Sequence, residues 1–251
     1  MTVGLLHPGE MGATIGAALR SRGHDVAWAS DGRSDATRRR AEAAGLRDVG
    51  TVAALARECE TIVSVCPPHA ALDVARSVGE TGGVYVDANA ISPATARAVA
   101  AAVGRYVDGG IVGGPPDPRL FLSGAEAPPV AALFEGSTVH PRVLAGGVGA
   151  ASALKMTYAA WTKGTSAMLL AIRDVARAEG VEEPLLAEWA ESVPGLAERW
   201  ERARRSADAK GWRWVGEMEE IAATFEAAGA PRGFHEAAAD VYRRTADRGR
   251  R

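Results

Sequence analysis

VGLLHPGEMGATIGAALRSRGHDVAWAS, residues 3–30, reads as a strand, a glycine turn, a helix and a second strand in immediate succession. Val3 to Leu6 form a short apolar run and HPGEMG makes the turn. Met11, Ile15, Ala18 and Leu19 then recur at helical spacing until Gly23 stops the helix and Val26 starts the next strand. A glycine pattern alone is a weak signal, but one set between a strand and a helix is a specific one. A helix N-terminus carries unpaired N–H groups and a partial positive charge, so it receives a pyrophosphate wherever no side chain blocks the approach. Gly9 removes that block and Gly12 lets the helix pack closely on its strand, as in a dinucleotide-binding turn. The usual first glycine of G-x-G-x-x-G is His7 here, followed by Pro8. His7 reads either as a turn residue without chemistry or as a cofactor or substrate contact.

The chain has 251 residues, 47% apolar and 24% charged, with a formal net charge of −2, which predicts an ordinary globular protein of one large domain or two smaller ones. Near-neutral charge, with no Lys/Arg cluster backed by aromatics, argues against nucleic acid as the main partner. The basic runs Arg38 to Arg40 and Arg248 to Arg251 read as a solvated helix face and a frayed tail. No apolar segment reaches the length of a membrane span, so no membrane partner is expected. A first strand at residue 2 or 3 leaves no room for a signal peptide, and the expected location is cytoplasmic. Cys59 and Cys66 match no metal or redox spacing, so no metal site is expected, and Cys66 in IVSVC reads as a reduced core residue.

Alternation of strand and helix patterns continues beyond residue 30 and predicts a parallel sheet covered by helices on both faces. Helices are expected at Ser34 to Ala44, Thr51 to Cys59 and Ala70 to Val78, and a further one opens at Ser92-Pro93 with a serine cap and proline in its first turn. Strands are expected at Thr61 to Cys66, Val84 to Asp87, Tyr106 to Val112, Arg119 to Ser123 and Thr138 to Val143. From Gly149 the character changes: Gly149 to Glu179 has Gly164 as almost its sole turn signal, and every later segment reads as helix. The expected division is therefore a dinucleotide-binding domain over residues 1–146 and a helical domain over 147–251. The second part holds Trp161, Trp189, Trp200, Trp212 and Trp214 among many Glu/Arg pairs, the mix of a helical domain that packs on a partner subunit. Trp212 and Trp214 read as core or interface anchors.

Ligands of open parallel sheets bind outside the carboxyl ends of the strands. Here those ends are followed by His7 to Gly12, Ser30 to Ser34, Cys66 to His69, Asp87 to Ser92 and Gly109 to Pro116. The candidate cofactor contacts are His7, Pro8, Gly9, Glu10, Met11, Gly12, Ser30, Arg33, Ser34, Cys66, Pro67 and Asn89. An acid ending the second strand would bond the ribose hydroxyls of NAD, whereas a small polar residue with a nearby arginine accepts the extra phosphate of NADP. Ser30 holds that place with Arg33 and Ser34 behind it, which favours NADP, while Asp31 keeps NAD open. Gly113-Gly114-Pro115-Pro116 reads equally as a backbone surface for a ligand or as a stiff hinge. Lys155 is the one charged residue in GGVGAASALKMTYAAW, and Tyr158 and Thr162 follow it on one helix face. Burial among Ala, Leu and Met would suit Lys155 to proton transfer. Snorkelling from a helix end is the alternative.

Together these segments resemble the β-hydroxyacid dehydrogenase superfamily, which includes 6-phosphogluconate and 3-hydroxyisobutyrate dehydrogenases and, more distantly, imine reductases. GLLHPGEMG stands where that family has GFIGLGNMG, VDANAISP where it has VIDMSTISP and YVDGGIVGG where it has FVDAPVSGG. GHDVAWAS and GGVGAASALK match its second strand and its glycine-rich lead into a catalytic lysine, and GWRWVGEMEEIAATFEAAG resembles the distinct C-terminal domain of one subgroup. The resemblance implies a Rossmann-type doubly wound sheet followed by an all-helical domain. It also implies an NAD(P)-dependent dehydrogenase acting on a small hydroxyacid or carbonyl compound, and a homodimer built on the long helix and the C-terminal domain. Lys155 would be the proton donor and acceptor, with Asn89, Gly113 and Gly114 lining the nicotinamide and substrate site. Three positions depart from the pattern: Ala159 replaces an asparagine, Val112 a serine and Gly216, beside Glu217, a second lysine. Those losses remove groups that hold a carboxylate. They open the alternatives of an imine reductase or of a dinucleotide-binding regulatory protein without catalysis.

Overall fold

The computed structural model describes residues 1–248; residues 249–251, the rest of the basic tail, lie outside the described residues. Two compact units divide the chain, Met1–Met156 and Thr157–Arg251.

The first unit is one eight-stranded sheet. Its strands are β1 (Thr2–Leu6), β2 (Asp25–Trp28), β3 (Arg47–Asp48), β4 (Thr61–Ser64), β5 (Val84–Asp87), β6 (Tyr106–Val112), β7 (Arg119–Ser123) and β8 (His140–Val143). They lie in the order β3-β2-β1-β4-β5-β6-β7-β8, so the sheet is wound outward in both directions from β1 and β4. All neighbours are parallel except β6 and β7, which form a hairpin. The helices are α1 (Glu10–Ser21), α2 (Asp35–Ala43), α3 (Val52–Glu58), α4 (Ala71–Val78), α5 (Pro93–Val103) and α6 (Ala127–Ala132). Alternate strand residues feed two cores. Leu5, Val63, Val86 and Leu122 join Ile15 and Leu19 on one face, and Leu6, Ile62, Tyr85 and Tyr106 join Leu55 and Val99 on the other.

Most expected elements form, and the departures have local causes. β4 ends at Ser64, before Val65 and Cys66. β3 escapes sequence reading because it is two charged residues, set beside Asp25 and Glu58 by Arg47, whose guanidinium pairs with both at 2.8 and 3.0 Å. α6 escapes it because APPVAA places two prolines early in a helix, where missing N–H groups cost nothing.

The division between units falls inside α7 (Ala150–Ala178) and not at the turn near Gly146, because the first turns of α7 are bonded to the sheet. The second unit contains the rest of α7, with α8 (Glu182–Ser192), α9 (Leu196–Ala227) and α10 (Gly233–Arg248), so the later segments are helical as expected. Gly164 does not break α7. It leaves space beside the buried ring of His235, whose Nδ1 would lie 3.9 Å from an added Cβ. Trp189 and Trp200 are buried, with Arg173 stacked 3.6 Å from the Trp200 ring, while Trp161 and Trp212 are exposed. Trp214 meets Tyr242 edge-on at 5.0 Å.

Candidate functional site

β1 ends in a tight turn, in which the Gly9 amide donates to the His7 carbonyl at 2.7 Å. This turn forces His7 to φ +65°, a conformation that glycine adopts freely and histidine does not. Gly12 is required by the same turn, since a Cβ there would lie 2.4 Å from the His7 carbonyl oxygen. α2, α3 and α5 are capped by the hydroxyls of Ser34, Thr51 and Ser92, each accepting from an amide in the first turn. α1 is different: its cap is Gly9, which offers no side chain to the amides of the first turn. Its dipole and amide groups therefore open on the carboxyl edge of the sheet. Glu10 starts the helix and is exposed, and Met11 packs against the core.

The basic residues after β2 are not a merely solvated face. Arg40 Nε donates to the Pro8 carbonyl at 3.3 Å and Arg38 Nη2 to the Ser30 carbonyl at 2.9 Å, so α2 braces both strand ends. Sequence reading missed these bonds because a charged helix face carries no sign of which carbonyl it reaches. The hydroxyl of Ser30 is directed to Asp48: burial alone would raise that carboxyl, but bonds from Ser30 and the Gly50 amide hold it below the ordinary range. Ser34 is spent on capping α2. Arg33 is half-buried, and its side chain makes no hydrogen bond or ion pair among the described residues. Its charge is felt at His7 and at Cys66, the residues that follow β1 and β4.

At the ends of β4 and β5, buried Asn89 accepts from the Cys66 amide at 2.5 Å and donates to Ser64 Oγ at 3.3 Å. Its own amide donates to Asp87. Asn89 thus ties two strand ends together. Burial pushes the Cys66 thiol up to about 12, which keeps it protonated, and Pro67 caps the short turn Pro68–Ala70.

Lys155 is placed by a network the sequence did not reveal. Asp108 on β6 is fully buried, and its carboxylate accepts from Ser123 Oγ at 3.1 Å, from the Gly149 and Ser152 amides at 3.0 Å, and from Ser152 Oγ at 2.6 Å. A negative charge at the start of a 29-residue helix also complements its dipole. The next turn of α7 crosses Gly110, where a Cβ would lie 2.9 Å from both the Ala151 carbonyl oxygen and Lys155 Cβ. Lys155, half-buried, therefore leaves α7 against β6, on the way to its carboxyl end. Gly113 (φ +88°) and Gly114 follow that end, exposed, and nothing lies within 4 Å of a Cβ at Gly114.

Tyr158 and Thr162 fall in the second unit. Tyr158 is exposed, and Thr162 Oγ1 donates back to the Tyr158 carbonyl at 3.3 Å. Val112 and Ala159 are buried. Glu217, beside Gly216, is paired with Lys163 at 2.5 Å.

A cavity of about 490 Å³ opens at the opposite, amino edge of the sheet, beside Arg57, Cys59, Gly83, Arg105 and Leu133. None of the candidate residues borders it. Arg105 there is bonded to Glu126 and the Gly82 carbonyl.

His7 gives the site a pH signature. Burial, then the charge of Arg33, lowers its pKa from 6.5 to about 4. Between those values the unfolded chain binds a proton that the folded chain refuses, so stability falls as pH drops from 6.5 to 4. The full shift is worth about 3 kcal/mol, and solvent around the half-buried ring reduces this to about 1–2 kcal/mol. His7→Asn, which tolerates the backbone conformation, is expected to flatten that part of a urea-midpoint profile. An unchanged profile would show that His7 titrates normally.

Residues 176–245 match a domain of unknown function, DUF1932. An uncharacterised 28.5 kDa protein of Methanothermus fervidus is 30% identical over 190 residues, 74% of this chain and 75% of that protein. The structure of conserved protein MTH1747, described as similar to 3-hydroxyacid dehydrogenases, superposes with a TM-score of 0.72 at 28% identity, covering 100% of this chain and 98% of that one. Mycobacterium tuberculosis 3-hydroxyisobutyrate dehydrogenase shares the fold at 18% identity and a TM-score of 0.68, with 98% and 94% covered. A reductive aminase from Aspergillus terreus, solved with NADPH, does so at 18% and 0.59, with 99% and 94% covered. The fold is that of a dehydrogenase-like family built on a dinucleotide-binding sheet. The chain belongs to the β-hydroxyacid dehydrogenase-like superfamily, in the group carrying a distinct C-terminal domain.

Proposed function

We propose that this oxidoreductase uses NADP and acts on a small hydroxyacid or carbonyl compound, with Lys155 as general acid and base. The observation that carries the reading is that one sheet presents a helix start without a side-chain cap at the end of β1 and, against β6, a lysine on a helix whose first turn is bonded to buried Asp108. The residues present fit the cofactor. The α1 amides behind Gly9 would hold the pyrophosphate, Gly12 keeps the turn close, and the unpaired Arg33 would take the 2′-phosphate. The nicotinamide, when bound, supplies or accepts the hydride. Lys155 gives a proton to the substrate oxygen in reduction and takes it in oxidation. With Ser30 and Ser34 already bonded within the protein, the choice of coenzyme falls to Arg33.

Fluorescence titration of the full chain is expected to show NADPH binding at least about tenfold tighter than NADH, the value of one charge-assisted contact. Equal affinities would remove the NADP assignment. Failure to bind either at millimolar concentration would leave the regulatory or imine readings without a cofactor site as well. Along α7, Tyr158, Trp161, Met168, Ile172 and Val175 stand exposed at alternating three- and four-residue steps, with Thr165 completing the series. A second copy of the chain is the proposed partner for this seam, giving a homodimer that sedimentation velocity would detect.

A further inference from the structure

The loop 113–118 joins β6 to antiparallel β7, and the register sets Gly110 opposite Phe121 and Val112 opposite Arg119. Opposite residues of an antiparallel pair point to the same face. Arg119 therefore emerges on the face where α7 crosses Gly110 with Lys155, about 7 Å further toward the carboxyl end of β6. Its guanidinium folds over the glycine loop, with Nη2 3.9 Å from where a Cβ of Gly113 would lie. The carboxylate nearest in sequence, Asp117, is taken by His140, the residue in register with Arg119 on β8. The Arg119 side chain is thus left with no hydrogen bond or ion pair among the described residues.

We infer that Arg119 anchors an anionic substrate, its planar pair of N–H groups receiving a carboxylate beside the open backbone of Gly113 and Gly114. The inference rests on the oxidoreductase reading above and narrows it. The serine absent at Val112 is replaced in function by one arginine from the neighbouring strand, which lies opposite it in register. The substrate class is a short-chain hydroxyacid or oxoacid rather than a neutral carbonyl or an imine. Arg119 is an anchoring residue, and the proton chemistry stays with Lys155.

The test is calorimetric titration of the full chain, saturated with NADPH, with 3-hydroxypropionate and with its methyl ester. Wild type is expected to bind the acid and to bind the ester at least about 30-fold more weakly. Arg119→Gln should lose about 100-fold for the acid and nothing for the ester, and Arg119→Lys should recover part of the loss. Arg119→Gln binding the acid like wild type, wild type treating acid and ester alike, or wild type binding neither would each overturn the anchor. NADPH fluorescence in the same samples separates the two levels. Retained NADPH with an insensitive acid titration removes only Arg119, whereas absent NADPH binding removes the oxidoreductase reading and the anchor with it.

Discussion

Asp108→Ala is expected to lower folding stability by about 4 kcal/mol, the loss typical of a buried charged acceptor removed from its donors. Two amides and two hydroxyls converge on this carboxylate, and alanine would leave all four without it in a site that water does not reach. The start of α7 also loses its one complementary charge. Asn at this position keeps one accepting oxygen but turns an NH₂ toward groups that are themselves donors, so about 2 kcal/mol is expected for Asp108→Asn. Urea denaturation followed by circular dichroism checks both values. A loss under about 1 kcal/mol for alanine would mean that α7 is held by packing on Gly110 and not by the carboxylate.

The second large effect concerns chemistry. Lys155→Ala is expected to reduce turnover by about 10³-fold, the usual worth of a positioned general acid and base, with NADPH affinity changed less than about twofold. Alanine keeps the Cβ that packs on Gly110, so α7 should not move. Stability therefore stays near that of wild type, in contrast to Asp108→Ala. Equal turnover in the alanine variant would take Lys155 out of the mechanism. A parallel loss of stability would make its role one of packing. The two variants together separate the residue that acts from the residue that places it.

Much of the fold was legible in the chain itself. The glycine turn, the apolar runs and the serine and proline signals at Ser92-Pro93 are local, and each produced the expected element. Lys155 could be singled out because it is the one charge in the stretch from Gly146 to Trp161. What stayed hidden depends on contacts between residues far apart. Asp108 reaches Ser152, Arg40 reaches Pro8, and Arg119 lies beside Gly113 only because a hairpin brings it there. The division at Met156 was displaced for the same reason, since a turn at Gly146 looks like a boundary until the helix after it is tied to the sheet.

By itself the sequence determined most of the strands and helices and the glycine turn that leaves α1 without a side-chain cap, because hydrophobic period, turn chemistry and capping act over a few residues. Tertiary structure alone decided which carbonyls the arginines of α2 reach, which arginines remain unpaired among the described residues and what holds the start of α7 in place. Those outcomes depend on hydrogen bonds whose partners become neighbours only when the sheet has closed its register.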